Sequence, residues 1–74
     1  MTVNLSVEFH DVRDVMPGNK ARWCLCVMKD KTLRSGYWDP FDHGFWDSWA
    51  EDATGIGDVI AWAYSSDIKV KEAT

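Results

Sequence analysis

Two cysteines and two histidines are the side chains of this sequence best suited by type to hold a metal, and their spacing sets how far that chemistry goes. Cys24 and Cys26 stand at i and i+2, which on a strand sends both sulfurs to one face. With His10 and His43 they would make the Cys2His2 set that zinc accepts tetrahedrally. Cys-x-Cys is not the usual two-residue chelate loop, however, and the histidines lie on separate segments. The preferred reading is two small buried hydrophobes, reduced in a cytoplasm, with no metal and no cofactor. A disulfide between them is disfavoured, because a strand holds their Cα atoms at an awkward separation.

Catalytic patterns are missing. The sequence holds no Gly-x-Ser-x-Gly, no Walker loop and no His-Glu-x-x-His, and Gly55-Ile56-Gly57 lacks the third glycine of a dinucleotide fingerprint, so it reads as a turn. Asp42 and His43 invite an acid-base scheme, but acidic clusters on small domains are mostly solvated and a small sheet offers little depth for excluding water. No enzymatic activity is expected.

Binding chemistry is better represented. Four of the five tryptophans fall between Trp38 and Trp62, and the run from Tyr37 to Asp47 alternates large rings with carboxylates. So small a body cannot bury every ring. A rigid ring beside a carboxylate is the chemistry of a protein-binding hot spot, where the ring fills a pocket and the charge selects a basic rim. The partner-binding group read from the sequence is Tyr37, Trp38, Asp39, Asp42, Trp46, Asp47, Trp49, Glu51 and Asp52. The same grouping could stack on a sugar, and a structural reading puts the rings in the core with the acids keeping the segment soluble.

A net charge of −4 with eight scattered Lys and Arg argues against nucleic-acid binding, which relies on clustered cations. Between Asp39 and Asp58 there is no Lys or Arg. That stretch would attract a basic partner. Imitation of a phosphate track by these carboxylates is a further alternative, weakened by their modest and uneven density.

The elements that must position these residues are strands. Residues 3–9 alternate Val3, Leu5, Val7 and Phe9 with polar neighbours, the period of a half-buried strand. Residues 11–20 read as turns carrying Val12, Val15 and Met16 back to the core. Residues 22–28 and 58–64 are apolar on both faces, which suggests central strands, and residues 32–38 complete a hairpin with the former. Ser48-Trp49-Ala50-Glu51 fits a capping box for one helical turn ended by Gly55. The expected fold is mainly β: a small antiparallel sheet of about four strands with one short helical turn, in which the first strand need not pair with the second. A chain of 74 residues holds one core, expected over residues 1–66 with a polar tail at 67–74, acting alone or as a small oligomer such as a homodimer. The N-terminus lacks the basic start and apolar run of a secretory signal, and no window approaches a membrane span, so a cytoplasmic location is expected.

The run Phe9-His10-Asp11-Val12-Arg13-Asp14-Val15-Met16-Pro17, the strand 23–28, Gly36-Tyr37-Trp38, Phe45-Trp46-Asp47 and Val59-Ile60-Ala61-Trp62 together resemble a small phage and prophage family, domain of unknown function 551. The likeness spans residues 9–64. It departs at Phe9, where the family usually has Trp, and after Trp62, where Ala63-Tyr64-Ser65-Ser66 replaces closing prolines. The resemblance implies a phage or prophage origin, a bacterial host cytoplasm and a compact sheet, and it brings no catalytic residues. The functional expectation is a non-enzymatic accessory protein that binds and blocks a host protein, for example as an anti-defence factor of the anti-CRISPR kind.

Overall fold

Strands that carry apolar side chains on both faces have to lie inside a sheet, and the two runs with that pattern do. In the computed structural model, which describes residues 2–72, β3 (Arg22–Met28) pairs on one side with β4 (Leu33–Asp39) and on the other with β7 (Val59–Tyr64). Three short strands extend this centre: β2 (His10–Asp11), β5 (Gly44–Trp46) and β6 (Gly55–Ile56). The resulting six-stranded sheet has the order β2-β7-β3-β4-β5-β6, and β1 (Val3–Ser6) pairs with β8 (Lys69–Glu72) in a separate two-stranded ribbon. Every pairing is antiparallel. The protein is mainly β, as its alternation predicts, and among the described residues no helix is long and apolar enough to cross a membrane.

The four expected strands correspond to β1, β3, β4 and β7, except that β1 ends at Ser6 and its four residues are exposed, where the alternation predicts a half-buried strand over residues 3–9. β2, β5, β6 and β8 are additions too short for a periodicity to register. Other expectations need correction. Residues 48–53 form turns without a helix: the Ala50 N–H donates to Ser48 Oγ (3.3 Å) and the Ala53 N–H to the Ala50 carbonyl (3.0 Å). The expected polar tail carries secondary structure over its described part: a 3-10 turn at Ser65–Asp67 leads into β8. Ile68 and Val70 alternate with lysines there, a strand period over too few residues to stand out. Ala73 and Thr74 lie outside the described residues.

Ser6 pairs with Lys69 and His10 with Trp62. Residues 7–9 link β1 to β2, and the 3-10 turn at Ser65–Asp67 with Ile68 links β7 to β8, so two short connections join the ribbon to the sheet.

Register places Cys24, Cys26, Gly36, Trp38, Phe45, Ile56 and Trp62 on one face of the sheet, and the buried hydrophobic cluster is drawn from that face. The loop of residues 12–20 closes over it, held by its backbone. The Trp38 indole N–H donates to the Gly18 carbonyl (2.8 Å) and that of Trp62 to the Val15 carbonyl (2.8 Å), while the Gly18 N–H donates to the Tyr64 hydroxyl (2.9 Å). Buried ring donors are thereby satisfied, which otherwise cost free energy. Val12 packs on the cluster and Pro17 is buried, but Val15 and Met16 are exposed, contrary to expectation. The loop lends its carbonyls at these positions and turns the side chains outward.

Close approach fixes one glycine. A Cβ on Gly36 would stand 2.8 Å from the Cys26 sulfur, nearer than real contacts allow, so the sheet's centre accepts no side chain there.

Candidate functional site: an acidic aromatic pocket

The opposite face of the sheet carries the site. Trp23 lies opposite Tyr37 and Tyr37 opposite Trp46, so three aromatic residues form a row across β3, β4 and β5. The first two rings meet edge to face at 5.1 Å. Cross-strand aromatic pairs of this kind stabilise a sheet face without needing a second layer. Two glycines flank the end of the row: a Cβ on Gly55, opposite Trp46, would meet its ring in ordinary contact at 3.8 Å, and one on Gly44 would lie 3.9 Å from its Nε1.

Two loops rise beside this row. Between β4 and β5, the Asp39 carboxylate accepts the backbone N–H groups of Phe41 (2.9 Å) and Asp42 (3.4 Å), an Asx-type turn that Pro40 helps preset. His43 completes it with φ 52°. Phe41 is 92% exposed at its tip. Between β5 and β6, Asp47 closes the loop at its neck: its N–H donates to the Thr54 carbonyl and its carboxylate accepts the Thr54 N–H, both at 2.9 Å. Trp49 stands on this loop, 76% exposed.

Between sheet and loops lies an open pocket of about 220 Å³ lined by Tyr37, Asp39, Asp42, Trp46, Ser48, Trp49, Ala50, Glu51 and Ala53. The strands supply its floor and the loops its walls. Six of the nine residues read from the sequence as partner-binding line it: Tyr37, Asp39, Asp42, Trp46, Trp49 and Glu51. The other three are elsewhere. Trp38 belongs to the core, fully buried on the far face because strand alternation sends it opposite to Tyr37. Asp47 holds the loop neck, and Asp52 is exposed outside the pocket. Trp23 was not singled out from the sequence, yet it extends the aromatic row and is 40% exposed. Its signal was the pairing register, which no single strand reveals.

Charge is strongly segregated around the pocket. All eight Lys and Arg lie within residues 13–34 or 69–71, and the stretch 35–68 between them holds seven of the twelve carboxylates. Along β3 and β4 this makes one end of the sheet basic, at Lys29, Lys31 and Arg34, and the other acidic, at Asp39 and Asp42. Arg34 and Asp39 stand five residues apart along β4, about 17 Å of extended chain. Arg22, opposite Trp38 near the acidic end, is turned to the core side, where its guanidinium lies 3.7 Å from the Tyr64 ring centroid and bonds the Ser66 hydroxyl.

The Trp46 indole nitrogen is buried without a hydrogen-bond partner, unlike those of Trp38 and Trp62. Being closed to solvent, it is not a donor that a ligand can reach as the pocket stands.

The zinc set is dispersed. Cys24 and Cys26 point into the core, His10 stacks on Trp62 at 4.6 Å and His43 meets the edge of Trp38 at 6.0 Å. Among the described residues no three His, Cys, Asp or Glu side chains are placed to share a metal ion. Burial pushes the Cys24 thiol up to about 11 and that of Cys26 to about 12, which favours the neutral thiol over the thiolate that a metal requires. At the far edge of the sheet Arg13 bonds the Asp11 carboxylate at 2.8 Å and draws its pKa down to about 2; this exposed pair orders the start of the 12–20 loop.

No family model matches the chain, and searches of curated proteins and of solved structures likewise return no match.

Proposed function

We propose that this chain is a non-enzymatic binding protein, an accessory factor of phage or prophage type that occupies and blocks a surface of a host protein through its acidic aromatic end. The observation that carries this reading is the pocket between the β4-β5 and β5-β6 loops, with Phe41 and Trp49 standing free on its two sides. Solvated aromatic side chains bring a large apolar area with few rotatable bonds, which is what a hot spot needs. The cation-free stretch around them selects a basic counterpart and speeds encounter with it. The phage setting comes from the motif resemblance, and a blocking role needs no active site.

Affinity capture from a bacterial lysate at moderate salt, with the unaltered chain and the Trp49→Ala and Phe41→Ala variants side by side, tests the proposal. One enriched protein, lost with either variant while far-UV circular dichroism is unchanged, is the expected result. Retention that both variants leave intact, or an empty capture, overturns it.

A further inference from the structure

We infer that the pocket is an arginine receptor: it takes the guanidinium of one arginine side chain presented by the partner protein. This deepens the proposed function and rests on it. Three features of the pocket lead there. Its walls combine the rings of Tyr37, Trp46 and Trp49 with the carboxylates of Asp39, Asp42 and Glu51, so a bound group must be cationic at one place and flat or apolar at another. Its volume of about 220 Å³ falls below the ~300–1,000 Å³ of sites that enclose metabolites, and suits one long side chain. No lysine or arginine of the same stretch competes for the carboxylates, since residues 35–68 contain none.

Guanidinium satisfies these demands better than ammonium. It is planar and weakly hydrated, so it stacks on an aromatic face at low desolvation cost, and its fork of N–H donors meets a carboxylate with two parallel bonds. A lysine ammonium is a compact, strongly hydrated charge and would leave the rings poorly covered. Asp39 gives its Oδ1 to the turn amides, which fixes the carboxylate in place before any ligand arrives. Asp42 and Glu51, one on each loop, are the carboxylates left to close on the guanidinium from opposite walls.

The inference is tested on the whole chain by NMR titration with short capped peptides of glycine around one central residue: arginine, lysine, or citrulline, the neutral isostere of arginine. The indole N–H resonances of Trp46 and Trp49 are the readout. The arginine peptide is expected to give saturable shifts at both, with citrulline and lysine at least tenfold weaker, and Trp49→Ala and Asp42→Asn each weakening arginine tenfold or more. Equal binding of arginine and citrulline, shifts centred away from the two tryptophans, or no saturation at millimolar peptide overturns it. If the peptides fail while Trp49→Ala still abolishes capture of a host protein, the arginine assignment falls and the binding function stands. Loss of the capture result alone removes the function and leaves a bare guanidinium site.

Discussion

On one face of the central sheet Trp38 and Trp62 are covered by the 12–20 loop and give their indole N–H groups to its carbonyls. On the other face Trp23, Tyr37 and Trp46 line up across three strands and remain partly open, and Trp49 beyond them is mostly in water. The same residue type thus serves two purposes. What separates them is whether a backbone segment with free carbonyls lies over the ring. A tryptophan is buried at low cost only where its donor is matched, and among the described residues the longest irregular segment lies over the face that also holds the cysteines.

The most severe break in this contrast is Trp62→Ala. It removes a buried ring, the hydrogen bond to Val15 and the surface on which His10 stacks. Such truncations cost about 3–5 kcal/mol, against a total of ~4–11 kcal/mol for a domain of this length. Urea unfolding followed by far-UV circular dichroism should show a population that is largely unfolded or has lost about a quarter or more of its stability. A cost under about 1 kcal/mol would mean the loop is not fastened as described. Next comes Gly36→Ala, in which a single methyl meets the Cys26 sulfur; overpacking of this order costs about 1–3 kcal/mol, and an unchanged midpoint in the same assay would show that the closed face is loosely packed.

The thiols give a subtler probe of the closed face. Folded Cys24 and Cys26 keep their protons above the ordinary thiol value of 9.0, whereas an unfolded chain has released them. The folded state then binds more protons, so this contribution to stability is complete below pH 9 and declines as pH rises toward about 11 to 12. The variant Cys24→Ala/Cys26→Ala should show a shallower alkaline decline in unfolding midpoint than the unaltered chain, and native protein at pH 8 should resist a thiol reagent that reacts at once in urea. Rapid labelling of the native chain would place the sulfurs in water and erase the distinction between the faces.

Much of this division was legible in the sequence, and the missing part has a physical origin. Apolar side chains on both faces of residues 22–28 and 58–64 located the central strands, because burial on both sides removes the polar half of a strand's alternation. The pocket was legible as a segment: rings and carboxylates alternating from Tyr37 onward without a cation. Which ring faced which way was not, since it depends on register between strands far apart in sequence. Trp38 and Tyr37 are neighbours of like chemistry, and alternation alone separates them. The strands β2, β5 and β6, of two or three residues each, exist only because a neighbour supplies the ladder, and β8 exists because β1 offers an edge. The 12–20 loop was expected to contribute Val15 and Met16, yet it contributes carbonyls and Pro17. Backbone acceptors carry no sequence signature.

The smallest effect on folding, and the sharpest test of the contrast, is Trp49→Ala. The chemical change is the one made at Trp62, but the ring is 76% exposed and stands on a loop whose neck is fixed by Asp47 and Thr54. Nothing buried loses a partner. Stability should shift by no more than about 0.5 kcal/mol, the range of exposed substitutions, while partner binding falls by roughly 2 kcal/mol or more, as at a hot spot. A thermal melt and a binding titration on the same sample separate the two readings. If Trp49→Ala lowers the melting temperature as far as Gly36→Ala does, the ring is part of the fold and the open face has been misjudged; if it lowers neither stability nor binding, the recognition surface must be sought along the row from Trp23 to Tyr37 instead.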